Sequence, residues 1–264
     1  MSPTSGNTAT GASASEVSPL RFCVVIPAYN HACTLEAVLP RLRPAGLPCL
    51  LVDDGSRDPD REALGALQRR EADWVELLRL PENRGKGEAV LAGLRRAATR
   101  GFTHAVQLDA DGQHDPREIS AFLDAASRAP GALVAGCAVF DKTVPAARLY
   151  GRRITLFWVQ INTLSREIRD AMCGFRVYPI GPTLLVADRD RLGGRMEFDP
   201  EVMVRLSWEG VPVVSIPALV TYPADGVSHF RLWRDNLRIS GMHARLFFGM
   251  LRRLPRWLRQ RSRA

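Results

Sequence analysis

Five cysteines are too few and too scattered to organise this chain. They stand at positions 23, 33, 49, 137 and 173, form no CxxC, match no zinc spacing and cannot all pair. A disulfide framework and a structural zinc site are thereby excluded, and reduced thiols in a cytosolic setting are expected. Long apolar runs are missing too, the nearest being ITLFWVQI at 154–161, well short of a membrane span. The first twenty residues have neither an early positive charge nor an apolar core, so 1–20 reads as a disordered leader and not as a signal peptide. Neither the GxxxxGK phosphate loop nor the GxGxxG dinucleotide fingerprint occurs.

What is present is an ordinary globular composition, 46% hydrophobic and 24% charged over 264 residues. The net charge of +8 is unevenly placed: Arg231 to Ala264 carries ten arginines against one aspartate, which leaves the first 230 residues at −1. The basic character belongs to the C-terminus, and points to an anionic surface met there.

Hydrophobic patterning predicts an α/β chain. RFCVVIPAY from 21, CLLV at 49–52, WVELLRL at 74–80, AVQL at 105–108 and ALVAGCAVF at 132–140 read as strands. A helix is expected near Thr34, capped by that side chain, with Leu35, Val38, Leu39 and Leu42 on its apolar face; another carries Val90, Leu91, Leu94 and Ala98. Helices between strands imply right-handed crossovers and a mostly parallel sheet covered on both faces. Later come a long helix over about 147–168, a loop and strand in DAMCGFRVYP, a helix from Asp199 to Trp208, and the strand VPVVSIPALV. One catalytic domain is expected over 21–230, followed by a tail over 231–264.

Ligands of such sheets sit beyond the carboxyl ends of the strands. PAYN, DDGS, ENRGKGE and DADG all fall at those ends. Within DADGQHDP, Asp109 and Asp111 are hard oxygen ligands that a turn at Gly112 brings toward one Mg²⁺ or Mn²⁺, whose shell substrate phosphates would complete. Alone, the same stretch reads first as an acidic turn capping the helix at Pro116, and its place at the rim beside the other polar loops is what favours a metal seat. His114 is either a ligand or a solvated loop side chain. Gly85 and Gly87, with Arg84 and Lys86, suit backbone approach to an anion. Glu197, Asp199 and Glu201 supply candidates for a general base, which a phosphate acceptor would not need. In DAMCGFR, Gly174 permits close approach, Arg176 offers a fork of donors to a phosphate, and Cys173 reads as a small packed residue. His229 stands where the body gives way to the basic tail.

Four segments in this order, VVIPAYN at 24–30, LVDDGSRD at 51–58, NRGKGEAVLAGL at 83–94 and VQLDADGQHDPREI at 106–119, resemble family 2 of the inverting glycosyltransferases, in particular its polyprenyl-phosphate sugar transferase branch. The resemblance implies the nucleotide-diphospho-sugar transferase fold and a donor site including Pro27, Tyr29, Asn30, Asp54, Lys86 and Asp109. It implies Asp109 and Asp111 as the metal pair, with Asp111, Glu197 and Asp199 at the reaction centre, and an acceptor side at Cys173, Gly174 and Arg176, to which His229, beyond the similar segments, is added by its position alone. The QxxRW of processive members is not reproduced by FRLWRDN, so a single sugar transfer to a lipid-linked or membrane-associated acceptor follows. A nucleotidyltransferase forming an activated sugar and a non-catalytic membrane adaptor are the competing readings.

The tail interleaves Leu232, Trp233, Leu237, Met242, Leu246, Phe247, Met250, Leu251, Leu254 and Trp257 with arginines, as an amphipathic helix or a pair broken near Pro255 would. An anionic membrane surface is the expected partner, with the enzyme peripheral on the cytoplasmic face. The near-neutral body and the lack of a base-reading module argue against nucleic acid.

Overall fold

The computed structural model describes residues 19–140, 144, 146–221 and 232–261. Seven strands form one sheet in the order β3-β2-β1-β4-β6-β5-β7. In chain order they are β1 (Phe22–Ala28), β2 (Cys49–Asp53), β3 (Val75–Arg79), β4 (His104–Gln107), β5 (Leu133–Phe140), β6 (Arg176–Pro179) and β7 (Val213–Val220). Every pairing is parallel except the two made by β6, which runs against both β4 and β5. The expected mostly parallel sheet is therefore observed, with one strand reversed.

Alternation along β1 divides the interior. Cys23 and Val25 face the side covered by α3 (Lys86–Thr99), α6 (Ile180–Arg189), α7 (Phe198–Trp208) and α8 (Leu232–Arg261). Val24 and Ile26 face α1 (Ala32–Leu42), α2 (Asp60–Arg70) and α4 (Ile119–Arg128). With α5 (Ala146–Thr163) set against α7 and α8, helices lie on both faces.

Several local expectations need correction. The first helix begins at Ala32, not at Thr34, and its end is capped from outside: Ala32 N–H donates to Asp60 Oδ1 of α2 at 2.8 Å. Ala97, not Ala98, completes the buried face of α3. The C-terminal helix is unbroken at Pro255 and runs to Arg261. Of the two arrangements open to its first half, free or packed on the domain, the packed one is observed: Ile239, Met242 and Leu246 join the core beside α3 and α7.

Parallel order explains where polar groups gather. The carboxyl ends of β1, β2 and β4 lie side by side, so PAYN, DDGS and DADG emerge at one rim. Because β6 is antiparallel, its amino end meets the same rim: Arg176 pairs in register with Gln107, and the DAMCG loop before it lands beside DADG. A separate cavity of about 700 Å³ lies toward the amino ends of β2 and β3, lined by Cys49, Leu50, Trp74 and Val75. It is remote from this acidic rim.

Candidate active site

The loops at the rim are tied to one another before any ligand is considered. Asn30 N–H donates to Ser56 Oγ at 3.0 Å, and Asn30 Oδ1 accepts from Arg57 N–H at 3.0 Å, joining PAYN to DDGS. Pro27 is buried within β1, while Tyr29 is half-buried at its exit. Asp53 closes its own turn by accepting from Ser56 N–H at 2.8 Å and pairs with Arg79 at 2.9 Å. Asp54 is 3% exposed, and its two oxygens accept from Arg84 N–H and Gly85 N–H, each at 2.8 Å. Burial nevertheless pushes its carboxyl above the ordinary value, against the lowering effect of those two bonds. In this structure Asp54 holds the NRGKG loop.

That loop must bend where it meets another. Gly85 has φ +105°, and a Cβ there would lie 2.4 Å from Arg195 Cγ, so the GGRME segment packs directly on it. Glu88 N–H donates to Gly194 O at 3.1 Å, and Arg195 Nη1 donates to Asn83 Oδ1 at 2.9 Å. The next residue, Lys86, is one of only two lysines in the chain. Its Nζ lies 2.8 Å from the Asp109 carboxylate and 2.6 Å from that of Asp199. Burial by itself would lower the ammonium pKa, but the two carboxylates outweigh it and hold it above the ordinary lysine value. Burial likewise pulls Asp109 upward, and Lys86, aided by His114 and a hydrogen bond from Gln107 Nε2, brings it below the ordinary carboxylate value.

Gly174 is where the antiparallel strand matters. A Cβ on it would sit 2.2 Å from Asp109 Oδ2, so the carboxylate occupies the space that any side chain at 174 would fill. Gly174→Ala should therefore displace Asp109 and cost about 1–3 kcal/mol of stability. Calorimetric unfolding of the purified variant checks this, and an unchanged midpoint would refute the contact.

Asp111 is half-buried one step further along the turn, where it accepts from Gln113 N–H at 3.1 Å. Gly112 follows with φ +70°, as the expected turn requires. His114 is not solvated: it is 8% exposed, packs its ring 5.5 Å from that of Phe175, and its Nδ1 has no hydrogen-bond partner among the described residues. Burial pushes its imidazole below the ordinary histidine value.

Two further sequence expectations fail on contact. Arg176 is completely buried and its donors are spent on Cys173 O, Ala171 O, Asp199 O and Tyr178 Oη. It locks the acceptor-side loop to α7 and cannot also grip a phosphate. Glu201 is equally enclosed, accepting from Gly193 N–H at 2.9 Å and from Arg205 at 2.8 Å, which removes it from the trio of candidate bases. Glu197 remains 8% exposed with Oε2 unpaired among the described residues. Cys173 is buried as a packed residue, its thiol pushed up to about 12 by desolvation. His229 lies outside the described residues.

Sequence reading missed Gln107 and Tyr178. Tyr178 Oη donates to Gln107 Oε1 at 3.1 Å, which aims the Gln107 amide at Asp109. Their only sequence signal is polarity inside otherwise apolar strands.

Among the described residues, no group of three or more His, Cys, Asp or Glu side chains is arranged to hold an ion. The oxygen-only pair Asp109 and Asp111 nonetheless fits a hard divalent cation whose other ligands come from water and substrate, the usual manner of Mg²⁺.

The profile of glycosyl transferase family 2 matches residues 23–182. The chain is 30% identical over 224 residues to the polyprenol monophosphomannose synthase of Mycolicibacterium smegmatis, covering 79% of this chain and 80% of that one. It is also 30% identical over 213 residues to the undecaprenyl-phosphate mannosyltransferase of Micrococcus luteus, covering 75% and 82%. Among solved structures, glucosyl-3-phosphoglycerate synthase of Mycobacterium tuberculosis, in complex with Mn²⁺, uridine diphosphate and phosphoglyceric acid, superposes with a TM-score of 0.60 at 15% identity, over 88% of this chain and 78% of that one. A likeness at that identity speaks for a shared fold.

Proposed function

This chain belongs to glycosyl transferase family 2, and on that premise we propose that it moves one sugar, with inversion, from a nucleotide diphosphate donor to a polyprenyl-phosphate or similar lipid-linked acceptor. The observation that carries the reading is the meeting of Asp109, Asp111, Lys86 and Gly174 at one rim, where three parallel strands end and an antiparallel strand begins. The polyprenyl-phosphate acceptors named for the two mannose-transferring relatives support the acceptor class.

Asp109 and Asp111 would hold Mg²⁺ or Mn²⁺. When bound, the cation supplies positive charge to the diphosphate as the bond to the anomeric carbon breaks. Lys86 keeps Asp109 ionised and oriented, and places a second positive charge beside it for the donor phosphates. Pro27, Tyr29, Asn30 and Asp54 shape the donor wall. An acceptor phosphate oxygen attacks the anomeric carbon from the opposite face, the old carbon–oxygen bond breaks, and the nucleoside diphosphate leaves. No base is required, because that oxygen is already ionised. This agrees with the commitment of Asp199 to Lys86, which makes Asp199 a positioning residue. Glu197, with a free buried oxygen, is the candidate for contact with the acceptor or sugar.

Among the described residues, no helix is long and apolar enough to cross a membrane. We place the protein on the cytoplasmic membrane face, held there by residues 231–264. Equilibrium binding of a panel of nucleotide sugars with and without Mn²⁺, followed by analysis of products formed with undecaprenyl phosphate, tests the whole reading. Cation-dependent binding of a donor and release of a nucleoside diphosphate are expected. Release of pyrophosphate from a nucleoside triphosphate, or no nucleotide-sugar binding at all, would overturn it.

A further inference from the structure

The surface of α8 is divided three ways. Ile239, Met242, Leu246 and Met250 are buried against the domain. Trp233, Leu237, Ala244, Phe248 and Leu251, spaced by four, seven, four and three residues, make a second stripe, and it is exposed, Trp233 by 90% and Leu237 by 75%. Arg234, Arg238, Arg245 and Arg252, spaced by four and seven, make a third stripe beside it.

The apolar stripe does not end at α8. On α5, Tyr150, Ile154 and Phe157 follow at intervals of four and three, with Trp158 next to them, and all are exposed, Tyr150 by 70% and Phe157 by 58%. Ring contacts join the helices: Phe157 to Trp158 at 5.7 Å, Trp158 to Phe247 at 6.2 Å, and Phe247 to Phe248 at 6.0 Å, all edge to face. One aromatic band thus crosses from α5 to α8, and arginines flank it.

We propose that α5 and α8 together form a single face that lies on an anionic bilayer surface, with α5 an essential half of the contact and not a bystander to the basic helix. Aromatic side chains suit the headgroup boundary, where an apolar body meets a polar layer, and a parallel row of arginines can reach lipid phosphates from beside it. A second protein copy would place these arginine rows against each other, whereas an anionic surface neutralises them. The placement also has a use: α5 follows β5, which ends at the catalytic rim, and Arg152 of α5 pairs with Asp170 in the loop that carries Gly174. The inference rests on the lipid-linked acceptor reading above in this sense only, that the bilayer would then be presented to the acceptor side of the site.

Point substitutions are the test, since deleting α8 would also remove Ile239, Met242 and Leu246 from the core. Cosedimentation of the full chain with vesicles of equimolar phosphatidylglycerol and phosphatidylcholine should show binding that falls about tenfold in the double variant Ile154→Glu, Phe157→Glu. A comparable loss is expected in Arg234→Gln, Arg252→Gln, with the residual binding no longer favouring anionic over pure phosphatidylcholine vesicles. Wild-type binding in the α5 variant, no binding by the wild type, or a dimer that Phe157→Glu splits while vesicle binding persists would each overturn the proposal. Cation-dependent nucleotide-sugar binding, measured without vesicles, should be unchanged in every variant. Its absence from the wild type would refute the transferase reading and leave the vesicle result to stand or fall alone.

Discussion

Asp111→Ala should lose at least about a hundredfold in sugar transfer while unfolding at nearly the wild-type temperature. The two carboxylates of DADG are interchangeable on paper, but the fold gives them different duties. Asp109 is wedged against Gly174 and paired with Lys86, so replacing it disturbs the packing of the rim together with any chemistry. Asp111 is half-buried and accepts a hydrogen bond from Gln113 N–H; losing a neutral-donor bond of that kind costs about 1 kcal/mol. Activity and stability therefore separate at 111 as they cannot at 109. Parallel measurement of turnover, cation-dependent donor binding and thermal unfolding checks this. Undiminished turnover in Asp111→Ala would remove the cation site from this rim, whatever the stability.

A large effect of the opposite kind is expected from Lys86→Met. This change strips the ammonium from between Asp109 and Asp199, whose side chains are 21% and 6% exposed. Removing one partner of such a buried group leaves uncompensated charge and costs about 3–5 kcal/mol. Arg176 Nη1 stays 3.6 Å from Asp199 Oδ1, so the Asp109 side of the bridge bears most of the loss.

The sign of the pH dependence follows from the two shifts. Asp109 has a lowered folded-state pKa, so its contribution is full above the ordinary value of 3.8 and disappears as pH falls through the folded one. Lys86 has a raised pKa, so its contribution is full below the ordinary 10.5 and disappears as pH rises through the folded value. The gap in stability between wild type and Lys86→Met should thus shrink steadily as pH falls, beginning above the ordinary carboxylate value, because burial raises Asp109 once Lys86 is gone and the variant then relieves its buried charge by taking up a proton. Denaturant unfolding from pH 3 to pH 8 measures it. A gap that grows toward acid would mean that the bridge does not contribute in this way.

The same bridge marks how far the sequence could be read. DADG was legible as a site because a buried strand ending in carboxylates has few other reasons to do so, and three similar polar clusters ended neighbouring strands. Arg176 was misread for a local reason: a guanidinium beside Gly174 resembles a phosphate clamp until four carbonyl and hydroxyl acceptors close around it. Glu201 was grouped with Glu197 and Asp199 by proximity alone, although helical geometry turns it inward to Arg205 and Gly193 N–H. The tail was legible as amphipathic, but its division into a buried face and an exposed apolar stripe depends on what lies against it.

Local pattern determined the strands, most helices and the rim at which the polar loops had to emerge, since periodicity and turn chemistry act over a few residues. Direction and partnership were decided only by the tertiary structure. Nothing in RVYP states that it runs against its neighbours, and nothing near Lys86 names Asp199, 113 residues away. Such pairings depend on which surfaces pack together, and side chains distant in the chain feel one another's charge only once packing has removed the water between them.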